Sequence, residues 1–331
     1  MVNPISAEDF LGESLDDIQS ISDSEWTIID PNAFPGFQPK YRVVNAARVN
    51  ASPMEVAFGV GAKRPTADDL RRLWRERGLR TSGFVVVVLH DGKAFVAGPS
   101  QDDPVVMDAE VSVVENVCVE VLRQEEHNAA AQRAREMLSA LNSAEDAHEI
   151  AVYNSGLFAN HQVLDGMPAM PEWKSACDQG VRLSGLTGKH LLYRLGFDIE
   201  PSTAPLDLLT AADESGGVKV MAALLNSTEQ FETSSSRFQN EAPVVMAQRV
   251  ARERGIPWVI AMSGRRIRLY PTDPSQTLAR GGLADRFVQV DLAMLDEGNA
   301  GYLPLFFSAE AFAVDGSVDR IRRESQLRAI G

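Results

Sequence analysis

The sequence predicts a mixed α/β protein, in which strands and helices alternate along most of the chain. Three observations predict this class. Apolar runs short enough for strands, such as 84–89, recur between stretches with helical periodicity. The dipeptide Asp91-Gly92 separates two apolar runs, which is typical of a β-hairpin. Residues 197–292 follow the order strand, strand, helix, strand, strand, which favours a mixed sheet covered by a helix.

The composition is that of a globular protein. With 331 residues the chain is long enough for two domains, and its 44% hydrophobic and 24% charged content excludes wholesale disorder. The run 84–89 is too short to cross a bilayer, and no secretory signal is visible. Cys118 and Cys177 have no partner spacing, which indicates buried thiols in a reducing compartment. We therefore expect a cytoplasmic protein.

The charge is strongly acidic, because 46 Asp and Glu residues against 32 Lys and Arg residues give a net charge of −14. This balance argues against a chain that grips DNA by itself, since duplex-binding domains usually present a basic surface. Residues 1–40 hold eight acidic residues and one basic residue, Lys40. We expect an acidic, partly disordered arm there, with one short amphipathic helix. The arm either is a solvated tail or lies on a basic face.

The pattern of apolar runs and turn residues over 41–125 predicts a small α/β domain that begins with strands. The Asp91-Gly92 dipeptide supplies the positive φ angles that a type I′ hairpin requires. Strands are expected at 41–49, 55–60, 84–90 and 93–97.

Helices are predicted by capping and by periodicity. Thr66 lies three residues before Asp69, a capping signature that leads into a helix through Arg77. Apolar residues recur at helical spacing over 114–122 and again over 130–141. The second of these helices belongs to a mostly helical connector, for which we expect the bounds 126–190.

The order of helix ends, turns and apolar runs over 191–300 predicts a second α/β domain. A helix stops at Gly196, an acidic turn covers 213–217, and a helix over 244–254 ends at Gly255. The dipeptide Ser263-Gly264 separates two strands. Strands are expected at 197–199, 206–210, 218–225, 256–262, 266–270 and 287–292. Helices then follow over 301–312 and 317–329.

This strand order is typical of metal-dependent nucleases of the PD-(D/E)xK type. The catalytic positions of such enzymes can therefore be compared with the residues of this sequence. Such enzymes place an Asp at the end of one strand, and on the next strand an acid followed two residues later by a Lys, so that carboxylates hold Mg²⁺. Asp207 lies where the first Asp is expected. The strand 218–225 has alanine in place of the acid and leucine in place of the lysine. The scaffold therefore predicts a degenerate nuclease fold; the alternative is an atypical Mg²⁺ site built from Asp207, Asp213, Glu214 and Lys219.

Arginines are concentrated in the same region. They either form a patch that contacts phosphates or are solvated charges balanced by nearby acids such as Glu253 and Asp273. The candidate DNA-binding residues are Arg249, Arg252, Arg265, Arg266 and Arg268.

Other chemistry is not indicated by the sequence. The five histidines are dispersed and no cysteine cluster exists, so a zinc site is not expected. A Gly-x-Ser-x-Gly elbow is absent. An adenine methyltransferase needs an Asn/Asp-Pro-Pro-aromatic loop, and every Asn-Pro or Asp-Pro dipeptide here lacks the second proline.

Several stretches, taken in their order and spacing, resemble the amino-terminal region of type IIG-like bacterial restriction–modification methylases, which modify adenine in DNA and are often found in phage-defence loci. The resemblance covers roughly residues 65–331. The stretches are 73–77, 154–159, 191–197, 236–238, 242–244, 255–260, 263–271 and 301–309.

The resemblance implies a nuclease-like fold followed by a helical spacer, here 301–331, which leads to a methyltransferase part missing from these residues. It implies S-adenosylmethionine as cofactor only in that missing part. The hypothesis is therefore a non-catalytic amino-terminal module that positions DNA or docks a partner subunit. The alternatives are a Mg²⁺-dependent endonuclease with the atypical site, and an adaptor that contacts only proteins.

Overall fold

A computed structural model shows that the chain forms two compact units, Met1–Glu145 and Asp146–Gly331, each built around one β-sheet. The predicted mixed α/β class is confirmed. No helix in the part of the chain that the structure describes is long and apolar enough to span a membrane. The described residues are 26–29, 41–49, 54–61, 63–75, 83–99, 105–122, 124, 127–143, 151–211, 217, 219–226, 229–276 and 282–328.

The first unit contains a six-stranded sheet in which sequential strands are neighbours. β3 and β4 are parallel, and the other pairs are antiparallel. The hairpin between β4 and β5 confirms the predicted type I′ turn, because Asp91 and Gly92 have φ angles of 47° and 73°. The strands are β1 (Trp26–Ile29), β2 (Tyr41–Val49), β3 (Met54–Gly61), β4 (Gly83–His90), β5 (Lys93–Ala97) and β6 (Val105–Glu110).

Among the described residues of this unit, three helices cover the sheet: α1 (Ala67–Arg75), α2 (Val111–Leu122) and α3 (His127–Ser143). The predicted capping signature is confirmed, since the Asp69 amide donates to Thr66 Oγ1 and the Thr66 amide donates to the Asp69 carboxylate. Leu70 and Leu73 of α1 pack on one sheet face, together with alternate residues of β4. α2 and α3 pack against β3, β5 and β6. Burial on both sides explains the continuous apolar sequence of β4.

The second unit contains a seven-stranded sheet in the order β7-β13-β12-β11-β10-β9-β8. β10 and β11 are parallel, and the other pairs of this sheet are antiparallel. Gly264, at a φ of 57°, makes the tight turn from β11 to β12. The strands are β7 (Val152–Asn154), β8 (Phe197–Pro201), β9 (Asp207–Ala211), β10 (Lys219–Leu225), β11 (Trp258–Ser263), β12 (Arg266–Pro271) and β13 (Val288–Asp291).

Helices lie on both faces of this sheet. α6 covers the face formed by Met221, Ala223, Val259 and Ala261, which we call the α6 face. The opposite face, called the α5 face, includes Trp258, whose ring contacts aromatic rings outside the sheet. The helices are α4 (Trp173–Leu183), α5 (Gly188–Arg194), α6 (Pro243–Glu253), α7 (Tyr302–Phe307) and α8 (Ser317–Arg328).

The domain bounds differ from those expected from the sequence. The expected connector 126–190 is divided, because α3 packs on the first sheet while β7 and α4 belong to the second unit. Within the expected spacer 301–331, α7 belongs to the second core, since every residue of this helix is buried, and Val318 and Ile321 of α8 are buried as well. Within the expected arm 1–40, residues 26–29 form β1, an edge strand of the first sheet; the predicted amphipathic helix lies outside the described residues. Cys118 and Cys177 are buried and free, as predicted.

Candidate functional site

Asp207, the residue expected at the first nuclease position, begins β9 and lies directly opposite Ala222 of β10. Paired residues of antiparallel strands point to the same side of a sheet, so both side chains lie on the α5 face. Asp207 is 9% exposed and Ala222 is completely buried. The position facing the aspartate therefore carries a methyl group and not a second carboxylate.

The carboxylate of Asp207 is held by Lys189 of α5. The Lys189 Nζ atom lies 3.0 Å from Oδ1 and 2.9 Å from Oδ2 of Asp207. The lysine side chain is 51% exposed, whereas the aspartate side chain is 12% exposed. A buried carboxylate thus meets a cation whose stem reaches in from the surface, which is a typical way to pair a buried charge.

Contacts with the sheet also hold the start of α5 and the connection that precedes it. The Gly188 amide, at the start of α5, lies 3.2 Å from the Met262 sulfur of β11. One Arg265 Nη atom donates to the carbonyl groups of Ser184 and Leu292, at 3.1 Å each. These contacts attach the α4–α5 connection to the end of the sheet. Arg265, predicted as a DNA contact, is therefore used to position the segment that carries Lys189.

The atypical nuclease site of the sequence analysis is not assembled by the described residues. Lys219 pairs with Thr210, three pairs from Asp207 along the ladder, or about 10 Å. Because side chains alternate along a strand, Lys219 lies on the α6 face and Asp207 on the α5 face. Asp213 and Glu214 lie outside the described residues. Asp207 and Lys219 therefore do not act on the same substrate atoms.

A divalent cation does not fit the donor set around Asp207. Mg²⁺ prefers several oxygen ligands, among them one or two carboxylates. Here the carboxylate is occupied by the Lys189 ammonium group, and Ala222 provides no ligand. In the part of the chain that the structure describes, no three His, Cys, Asp or Glu side chains are grouped so as to hold a metal ion.

Arg268, another predicted DNA contact, is enclosed in the protein. Its side chain is 11% exposed, and its Cζ atom lies 4.1 Å from the ring centres of both Phe231 and Phe287. Its Nε donates to Gln289 Oε1 at 2.7 Å, and it forms an ion pair with Glu232. A guanidinium group between two aromatic rings is a cation–π arrangement. Arg268 consequently joins the loop after β10 to the sheet.

The five predicted arginines do not form one patch. Arg252 donates from Nε to the Thr272 carbonyl, at the end of β12 that is farthest from Arg266. The extended chain from Arg266 to Thr272, which is six residue steps, spans about 20 Å. Arg249, on α6, forms ion pairs with Glu241 and Glu253, and Glu241 raises the pKa of Arg249. The arginines of α6, Arg249 and Arg252, therefore do not form one surface patch with the arginines of the β11–β12 hairpin.

The loop between β10 and α6 is held by a paired carboxylate. Arg237 donates to both oxygens of Glu229 and, at 2.6 Å, to the Leu224 carbonyl. Glu229 also accepts from Ser235 and from the Asn226 amide. The Arg237 hydrogen bonds are the main reason why the pKa of Glu229 falls to about 2. This carboxylate is ionised at neutral pH and anchors the loop that begins at the end of β10.

No protein-family model, curated protein or solved structure matches this chain. The geometry of the second unit is therefore the basis for any functional proposal. Its principal feature is a fixed ion pair between Lys189 of α5 and Asp207 of β9. Sequence reasoning missed Lys189, which lies 18 residues before Asp207 and belongs to none of the motifs considered. Only the packing of α5 on the sheet brings the two together.

Proposed function

We propose that the second unit is a non-catalytic, nuclease-like module of a restriction–modification or phage-defence DNA methylase, and that it positions DNA. The observation that carries this proposal is the arrangement around Asp207. A carboxylate retained at the first nuclease position is neutralised by Lys189, and the facing position is Ala222. Such a site cannot organise a divalent ion for phosphodiester hydrolysis.

The order of elements supports a nuclease-like scaffold. α5 precedes the antiparallel strands β8, β9 and β10, and α6 then leads to β11, which is parallel to β10. This order extends the strand, strand, helix, strand pattern that suggested a nuclease from the sequence. Asp207 begins β9, the middle one of these three antiparallel strands. The neighbouring strand β10 is the one on which a nuclease would carry its second acid and its lysine.

DNA positioning is supported by the charge of α4 and α5. The segment 173–194 carries four Lys and Arg residues against one acidic residue, in a chain whose net charge is −14. Contacts from Lys and Arg to phosphates fix the register of a protein on a duplex without reading its sequence. The methylating chemistry, with S-adenosylmethionine as cofactor, belongs under this proposal to other parts of the system.

Two assays on the full chain test the proposal. We expect a labelled duplex to bind at low salt, with affinity that falls steeply as salt rises. We expect supercoiled plasmid to stay intact with Mg²⁺ or Mn²⁺. Cleavage by the full chain that disappears in Asp207→Ala would overturn the non-catalytic assignment in favour of the endonuclease alternative.

A protein-contacting adaptor is the second candidate, and one observation favours it. The exposed Arg249 and the enclosed Arg268 are both paired with glutamates, so they offer little to phosphates. If the full chain and a variant lacking residues 1–25, which keeps β1, both fail to bind duplex at low salt, the result favours the adaptor. The deletion is included because the acidic arm could compete with DNA for a basic face.

A further inference from the structure

We propose that the Lys189 ammonium group, held in place by Asp207, binds a backbone phosphate of DNA at the position where a nuclease would hold its metal ion. The inference rests on the proposed function and identifies the contact that performs it. It assigns Lys189 as a DNA-binding residue and Asp207 as the residue that positions it. The Lys189 ammonium group thus attracts a phosphate, as a metal ion would, but does not catalyse hydrolysis.

The hydrogen-bonding capacity of Lys189 permits this role. An ammonium group has three N–H donors. Asp207 accepts from it through two oxygens, at 3.0 and 2.9 Å, so at least one donor is left for another acceptor. Because the side chain is 51% exposed, a phosphate oxygen can approach from solvent. The ion pair also reduces the entropy that a free lysine would lose on binding.

The surroundings of Lys189 suit a polyanion. His190, Tyr193 and Arg194 of α5 are exposed, and Tyr193 and Arg194 follow Lys189 and His190 by one helical turn. In the described structure, Arg194 forms no ion pair. The nearby acids of β8, Asp198 and Glu200, alternate with residues of the α5 face and so lie on the α6 face. These two carboxylates therefore do not face a phosphate that approaches α5.

Lys189 is more exposed than three other cations that hold loops and helices of the second unit. The side chains of Arg237 and Arg268, each paired with a glutamate, are 33% and 11% exposed, against 51% for Lys189. Arg265 is half-buried and donates to backbone carbonyls. Lys189 combines a fixed position, an exposed side chain and an unused donor, which is the combination that phosphate binding requires.

The experiment measures duplex binding by the full chain with a fluorescein-labelled DNA of random sequence, by anisotropy, over a range of salt concentrations. The test variant is the double substitution Lys189→Ala with Asp207→Asn, which keeps the net charge and leaves no carboxylate without its partner. We expect its affinity to fall about five-fold, and the slope of log affinity against log salt to decrease in magnitude by about 0.9, the value for one phosphate contact.

The matched control is Lys219→Ala, an exposed lysine on β10 that lies on the α6 face. It removes one positive charge from the chain but should leave the salt slope unchanged. Lys189→Arg, which keeps the charge and the pairing with Asp207, should bind within about two-fold of the parent. Thermal unfolding of each variant identifies any that fails to fold, and Lys189→Arg then still provides a test.

Equal salt slopes for the parent and the double variant would overturn the inference while leaving DNA positioning intact. A five-fold loss in Lys219→Ala as well would also overturn it, because the effect would then reflect overall charge. Failure of the parent to bind duplex at low salt overturns both the inference and the proposed function. The three outcomes are distinct, so the inference can fail while the proposed function stands.

Discussion

Asp207 and Ala222 oppose each other directly across the β9–β10 pair, and Ala222 is completely buried. Directly opposed residues on antiparallel strands have their Cβ atoms about 4.5–5.5 Å apart. A carboxylate at position 222 would therefore lie close enough to Asp207 to share a cation. The identity of residue 222 therefore determines whether Asp207 faces a second carboxylate or a methyl group.

Ala222→Asp is expected to unfold more easily than the parent and to respond to divalent ions. A second buried carboxylate beside Asp207, with only Lys189 to compensate, costs about 2–4 kcal/mol of unfolding free energy. Because a bound ion stabilises the folded state by mass action, millimolar Mn²⁺ should raise the melting temperature of this variant and not that of the parent. Differential scanning fluorimetry measures both effects.

The control for this substitution is Ala223→Asp. Ala223 is also completely buried, but it is the next residue along β10 and lies on the α6 face, away from Asp207. It should lose a similar amount of stability with no response to Mn²⁺. If both variants respond equally to the ion, the proximity of position 222 to Asp207 is not the cause.

Arg268 is expected to contribute to stability and not to DNA binding. Arg268→Ala removes a guanidinium group from between Phe231 and Phe287 and leaves Glu232 without its partner, which should cost about 2–4 kcal/mol. Arg268→Lys should recover less than half of this loss, because a lysine lacks the planar group that stacks on both rings. Chemical denaturation measures these changes.

Arg249→Ala provides the comparison, since Arg249 is exposed and its ion pairs are on the surface. The expected loss is below about 1 kcal/mol. An Arg268→Ala variant that keeps its stability but loses salt-dependent DNA binding would restore the phosphate-contacting role that the sequence suggested for this arginine.

Features that depend on a few adjacent residues were predictable from the sequence. The capping pair Thr66–Asp69 and the Asp91-Gly92 turn are local, and their hydrogen bonds and φ angles confirm them. Gly196 and Gly255 end helices with φ angles of 90° and 68°, as their positions indicated. Such signals need no tertiary contact, because the backbone conformation of one or two residues decides them.

Features that depend on contacts between distant residues were not predictable. Lys189 and Asp207 meet only after α5 packs on the sheet. Arg268 is surrounded by Phe231 and Phe287, which come from two different loops. The short strand β7 pairs with β13, more than a hundred residues later, and three residues of strand leave a weak sequence pattern. Periodicity reports which residues are buried but not which distant residues bury them.

Glu229 is expected to make the stability of the protein depend on acid. Its pKa is lowered from 4.5 to about 2, mainly by Arg237, so the stabilisation is complete above pH 4.5 and is lost as the pH falls towards 2. Glu229→Gln should therefore lower the unfolding free energy by on the order of 1–2 kcal/mol at pH 7, and the difference from the parent should shrink towards pH 2–3.

The matched control is Glu253→Gln, which removes an exposed carboxylate that is 3.5 Å from Arg249. It should change stability little at either pH. Urea denaturation at several pH values compares the two variants. A constant difference between Glu229→Gln and the parent from pH 7 to pH 3 would show that the pKa of Glu229 is not lowered.

Gly180→Ala is expected to destabilise the second unit severely. An added Cβ atom at Gly180 of α4 would lie 2.0 Å from the Ala300 carbonyl oxygen, a backbone atom that cannot turn aside. The helix would have to move away from the segment before α7, at a cost of about 3 kcal/mol. Gly185→Ala is the control, because nothing lies within 4 Å of its added Cβ. If both variants melt at the parent temperature, α4 and α7 are separate connector and spacer, as the sequence suggested, and do not share one core.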